Sequence, residues 1–234
     1  MIFNEFFSMT LARACGLPTS DVEIINIDNL NVLSIRRYDR ETQDGHTIRL
    51  HQEDMCQALG LMPNQKYQTG DKSAANDILR IIRFYTSNPI ENTEVFIKWM
   101  VFNYLIGNND AHLKNISILY GSGTVAIAPF YDMLSTEIYA NLNHTLAIHI
   151  DGAMDSRDVR AIHWQKMLKD LNLNTEHYRR LIGDFAKMVS SKATLINTDF
   201  AKTSVGKKQI KKIISLAQKR ANVVSAILQE NIIE

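Results

Sequence analysis

The chain has 234 residues, 45% of them apolar and 22% charged, with a formal net charge of +1. That length can bury a core as one domain or two unequal lobes. The near-neutral balance does not advertise nucleic-acid binding, and the longest apolar run, FIKWMVFNYLIG, carries Lys98 and Asn103 and is too short to span a bilayer. The opening MIFNEFFSM has an early acid and no basic region, unlike a signal peptide, so a cytoplasmic location without membrane contact is expected. NEFFSMTLARACGLP predicts a helix with Phe6, Met9, Leu11, Ala12 and Cys15 on its apolar stripe, stopped by Gly16 and followed by Pro18. Cys15 and Cys56 are far apart in apolar contexts and read as buried thiols of a reducing compartment. DVEIINIDNLNVLSIRRYD reads as two short strands around a DNLN turn.

RETQDGHTI reads as a polar loop and HQEDMCQALGLMP as a short helix. GDKSAANDILRIIRFYTS predicts a helix capped by Asp71, with Ile78, Ile82 and Tyr85 at helical spacing. In NPIENTEVFIKWMVFNYLIG, Asn88 is the expected N-cap, Pro89 the first helical residue and Glu91 the far side of a capping box. Val95, Trp99, Phe102 and Ile106 share one face, and Gly107 ends the helix. ISILYGSGTVAIAPF predicts a hairpin, and HTLAIHI a short strand holding His144 and His149, read as ordinary histidines. Helices follow over roughly 160–171, 174–190 and 207–230, the last with Ile210, Ile214, Ala217, Ala221, Val224 and Leu228 on one stripe. Its Lys207, Lys208, Lys211 and Lys212 fall largely elsewhere and read as a solvated face, with a partner or nucleic-acid surface as the alternative. The order is α+β and mostly helical.

Between the Gly107 stop and the hairpin lies NNDAHLKN. Asp110 precedes Asn115 by five positions, and the hairpin should return Asp132 of APFYDMLST to the same mouth. Oxygen side chains so placed suit Mg²⁺, which takes one or two carboxylates plus substrate phosphates. Asp-x-x-x-x-Asn, a hairpin and then Asp is the order of a protein-kinase catalytic loop and metal-binding loop. On that reading Asp110 is the base, Asn115 and Asp132 are metal ligands, and His112 and Lys114 flank them, Lys114 neutralising charge on the transferred phosphoryl group. The plain alternative for Asp110 and Asn115 alone is an Asx-rich turn. HExxH, CxxC and GxSxG patterns do not occur.

At WMVFNYLIGNNDAHLKNISIL, APFYDMLST, HQEDMCQALG and RRYDR the sequence resembles the HipA-type serine/threonine kinases, toxins of bacterial toxin–antitoxin pairs, over nearly the whole chain and in order. The resemblance implies an atypical protein-kinase-like fold. Residues 1–41 would be the remnant of a truncated N-lobe with the hinge, and 42–234 a helical C-lobe carrying the catalytic and metal-binding loops. It implies ATP and Mg²⁺, with Asp110 as the catalytic Asp and Asn115 and Asp132 as metal ligands. Arg36, Arg37 and Tyr38 would border the adenine, and His112 would join the nucleotide site. The substrate it implies is a serine of a cytoplasmic protein, an aminoacyl-tRNA synthetase in family members. The partner is a helix-turn-helix antitoxin, through which alone DNA is reached. Glu5 stands where a kinase's regulatory-helix acid stands. The family's Gly-rich phosphate loop and strand lysine precede that helix; here no lysine precedes Lys66 and no glycine precedes Gly16. A complementing N-lobe chain, weak activity of the chain alone and exposed apolar surface at Phe6 and Met9 are therefore expected. The alternative is a catalytically incomplete module that binds an antitoxin or complementing chain.

Overall fold

The structure, a computed structural model, describes residues 1–70, 73–121, 123–196, 198–199 and 201–229. Helix α1 spans Ile2–Ala14 and is followed by β1 (Val22–Ile27), β2 (Leu30–Ile35), β3 (Arg40–Gln43), β4 (His46–Arg49), β5 (His51–Asp54) and α2 (Met55–Ala58). Helices α3 (Ala74–Tyr85) and α4 (Pro89–Ile106) precede β6 (Ser117–Gly121), β7 (Thr124–Ile127), β8 (Thr145–Ile150) and β9 (Ala153–Asp155). Three helices close the order: α5 (Ala161–Asp170), α6 (Thr175–Leu195) and α7 (Ser204–Ser225). The strands make small antiparallel sheets, β1–β2, β3–β4, β5–β6–β7 and β8–β9, and about half of the chain is helical.

Helix α4 is the central post. Asn88 and Pro89 start it as expected, and Gly107 stops it in the left-handed region at φ 74°. The one-faced stripe is too narrow a description: Phe96, Ile97 and every residue from Trp99 to Ile106 are buried, because α3, α6, α7 and β7 pack around it. A side chain at position 107 would collide with Leu216 and Glu137 at 2.6 and 2.9 Å, so glycine answers both the backbone angle and the crowding. Both cysteines are free and buried.

Several local expectations change. RETQDGHTI is the β3–β4 hairpin, turned at Asp44 and Gly45 with φ 49° and 78°, the paired positive angles of a type I′ turn. HQED is strand β5, paired with β6, and the helix begins only after Asp54, whose carboxylate caps α2 in a box with Gln57. Ser73 caps α3; Asp71 lies outside the described residues. In α1, Phe7, Met9 and Leu11 are buried and Phe6 only partly so. The exposed apolar residues near the N-terminus belong to β1–β2 instead: Ile25, Ile27, Leu30, Val32 and Ile35.

Candidate active site

The polar loop is built by amide side chains. Asn108 donates to Asn103 Oδ1 (2.8 Å) and accepts from the Asp110 backbone N–H (3.2 Å), carrying the chain out of α4. The Gly107 carbonyl accepts from the backbone N–H of Thr136 (2.9 Å) and Glu137 (3.0 Å), which ties the end of α4 to the segment after Asp132. The His112 N–H reaches Asn115 Oδ1 (3.0 Å) and closes a 3-10 turn over Leu113–Asn115. The β6–β7 hairpin then brings its far end back, and Asn115 Nδ2 donates to Asp132 Oδ2 at 2.9 Å. Asp110, Asn115 and Asp132 thus meet at one mouth, Asp110 with its side chain exposed.

Electrostatics mark the same place. Surrounding protein raises the Asp132 carboxyl above its ordinary value, and the Asp110 charge adds to that. Glu5 is raised too, by burial first and then by Asp132, which places α1 beside the mouth. Burial lowers His112, and a nearby ammonium lowers it further. That ammonium belongs to Lys66. Its Nζ lies 2.8 Å from His112 Nε2, and its carbonyl accepts from the Leu113 N–H (3.1 Å). Next to it the Tyr67 hydroxyl donates to Asp110 Oδ1 at 2.8 Å. Gln68 secures the strap by donating its N–H to Ala147 O (3.0 Å) and accepting from the His149 N–H (3.0 Å). Lys66 and Tyr67 were not among the sequence candidates; they lie in an aperiodic stretch between two turns. Lys114 sits in the 3-10 turn, where its carbonyl accepts the Tyr131 hydroxyl (2.9 Å). Among the described residues its ammonium makes no ion pair with Asp110 or Asp132.

Two cavities flank the mouth. On the Tyr131 side is a cleft of about 320 Å³ lined by Ile35, Arg36, Arg37, Tyr38, Gln52 and Tyr131. The rings of Tyr38 and Tyr131 are 6.1 Å apart and tilted by 32°, an aromatic wall to this cleft. Arg37 is committed elsewhere, with two hydrogen bonds (2.9 and 2.7 Å) to the buried Asp39, and Arg36 lies 3.8 Å from Asp21. His112 does not line this cleft. On the Asp110 side is a groove of about 670 Å³ walled by Tyr67, Asn109, Thr136, Leu142 and Thr145.

A metal fits the mouth by its donor set. Asp132 offers a hard carboxylate and Asn115 an amide oxygen that here accepts from the His112 N–H, and the mutual repulsion of Asp110 and Asp132 is what a divalent cation relieves. Among the described residues no group of three or more His, Cys, Asp or Glu could hold a metal ion by itself. Behind the mouth, Arg220 locks the scaffold. It donates to Tyr104 O (2.6 Å) and to Glu137 Oε2 (2.5 Å), and the Ser156 hydroxyl reaches the same oxygen at 2.8 Å. Burial alone would raise the Glu137 carboxyl, but Arg220 and Ser156 outweigh it and hold it below its ordinary value.

The profile of a family described as HipA-like C-terminal domain matches residues 1–193. A Sinorhizobium fredii protein named as a kinase, Y4mE, is 32% identical over 94% of this chain and 53% of its own length. The serine/threonine-protein kinase toxin HipA of Shewanella oneidensis is 30% identical over 74% of the chain and 43% of its own length. The chain therefore spans about half the length of the curated relatives it matches. Among solved structures, the Shewanella oneidensis complex of HipA, HipB and operator DNA superposes with a TM-score of 0.83 at 22% identity, covering 99% of this chain and 58% of that one. The Helicobacter pylori proinflammatory kinase CtkA gives 0.63 at 16%, covering 98% of this chain and 84% of that one. The α+β, kinase-like fold expected from the sequence is the fold these structures share with it. No helix among the described residues is long and apolar enough to cross a membrane.

Proposed function

The chain belongs to the HipA-like kinase family, and from that membership we propose that it carries the catalytic part of an ATP-dependent serine/threonine protein kinase of the toxin–antitoxin type. The observation that carries the reading is the junction of Asp110, Asn115 and Asp132, joined through the 2.9 Å bond from Asn115 to Asp132. The aromatic cleft at Tyr38 and Tyr131 takes the adenine, with the nearby Arg36 and Arg37 at its rim. Asp110 then stands on the acceptor side. Its carboxylate takes the proton of a serine hydroxyl as that oxygen bonds to the γ-phosphorus. The bond from the γ-phosphorus to the β–γ bridging oxygen breaks, and ADP leaves with the electron pair. Asn115 and Asp132 would hold Mg²⁺, which would supply charge neutralisation to the phosphates there.

The division into an N-lobe portion over 1–41 and a C-lobe over 42–234 belongs to the same proposal, the cleft lying where the two meet. The substrate expected from the family resemblance is a cytoplasmic protein such as an aminoacyl-tRNA synthetase. The partner expected from the family resemblance is a helix-turn-helix antitoxin, through which DNA would be reached; the superposed HipA chain was solved in complex with HipB and operator DNA.

The test is phosphoryl transfer from labelled ATP by the protein carrying these residues. Asp110→Ala should fold normally, because the side chain is exposed, and lose on the order of 10²–10⁴ in rate. Rates within about threefold of wild type would remove Asp110 from the mechanism. A well-folded wild type that binds an antitoxin but never transfers phosphate would favour a binding module instead.

A further inference from the structure

We propose that Lys66, held by His112, is the cation that meets the transferred phosphoryl group; this deepens the kinase reading above and rests on it. The placement comes from the strap across the catalytic turn. Lys66 and Tyr67 are adjacent, and their side chains land on His112 and Asp110, two residues of one turn. An acceptor hydroxyl at Asp110 and a phosphoryl group beside it would therefore lie within the compass of the same strap.

The chemistry of the anchor is specific. An ammonium carries donors and no acceptor, so at 2.8 Å the His112 Nε2 is the acceptor and the ring hydrogen sits on Nδ1. The imidazole is then neutral, and Nδ1 is buried with no partner of its own. A neutral acceptor fixes the position of the ammonium without cancelling its charge. Among the described residues Lys66 makes no ion pair with a carboxylate, although its charge acts on Asp132. One N–H is spent on His112 and a second on the Tyr67 hydroxyl, which leaves the third for a phosphate oxygen. A preset cation beside the base is what a transition state with charge spread over three equatorial oxygens requires.

The experiment compares wild type, Lys66→Met and Lys66→Arg in the protein carrying this chain. Calorimetry with Mg²⁺ measures binding of a non-hydrolysable ATP analogue and of ADP, beside phosphoryl transfer. Thermal melts check each fold. Lys66→Met should lose about tenfold in affinity for the analogue and keep ADP within about threefold. Its turnover should fall on the order of 10²–10³, the range for removing a preset donor to transition-state charge. Lys66→Arg should recover part of both losses. Equal effects on analogue and ADP, or none on either, would overturn the assignment and leave Lys66 a structural residue. Phosphoryl transfer by wild type with Lys66→Met unchanged overturns this proposal alone. A wild type that neither binds nucleotide nor transfers phosphate overturns the kinase reading, and this proposal with it.

Discussion

Asp132 is held at φ 56°, in the left-handed region, where a non-glycine residue costs on the order of 1–3 kcal/mol unless its surroundings impose it. The Asn115 amide supplies such a restraint, and strain at the proposed metal ligand is where function is expected to collect it. Asp39 shows the opposite economy. The hydrogen bonds from Arg37 chiefly, then Arg40, hold its carboxyl down at about 2, against an ordinary 3.8. A folded-state pKa below the unfolded one means the ionised form stabilises the fold above 3.8 and loses that contribution as pH falls through about 2. Asp39→Asn should therefore lower the urea midpoint at neutral pH, and the gap to wild type should narrow across that window. A gap independent of pH would mean the loss is of packing rather than charge. Asp110, Asn115 and Asp132 were legible in the sequence because their spacing is short or bridged by one hairpin. Lys66 and Tyr67 were not, since nothing local says where an aperiodic strap will land.

Helix α7 braces the site through Arg220. Arg220 and Glu137 form a buried pair that joins α7 to the end of α4 and to the segment following Asp132. Removing one partner of such a pair strands a charge and costs about 3–5 kcal/mol. Arg220→Met should accordingly lower Tm by on the order of 10 °C and weaken phosphoryl transfer through the loosened loop. A melt within about 2 °C of wild type would show that Glu137 finds solvent instead. The strands teach a related lesson. The β1–β2, β3–β4 and β8–β9 hairpins turn at Asp28–Asn29, Asp44–Gly45 and Asp151–Gly152, with both turn residues at positive φ in each. Both Asp-Gly pairs were present to be read. The flanks RETQ and HTIR offer no apolar alternation and stay mostly exposed, so periodicity passed over a hairpin that turn chemistry specified.

Across the whole molecule, α1 is fastened to the helical mass rather than set beside it. Phe7, Met9 and Leu11 belong to the same buried cluster as Trp99, Phe185 and Ile213. Asn4, fully buried, donates to Ser135 O (2.8 Å) and accepts from Ser135 N–H (2.9 Å). Unfolding should therefore be one transition, with tryptophan fluorescence and far-UV ellipticity coinciding. Asn4→Ala should lower stability by about 1–3 kcal/mol, because two buried backbone groups lose their partner. Two separated transitions would contradict the shared core. The apolar residues left exposed on β1–β2 form the surface where a further chain segment or partner would gain most. The sequence by itself determined the helix ends at Asn88 and Gly107, the β6–β7 return and the Asp110–Asn115–Asp132 order. Each of these is written in dihedral preference, capping chemistry or periodicity over a short span. Only the tertiary structure decided that Tyr67 meets Asp110 across 43 positions, Lys66 meets His112 across 46 and Arg220 meets Glu137 across 83. Such contacts have no local signature, because they exist only once separate elements have packed around α4.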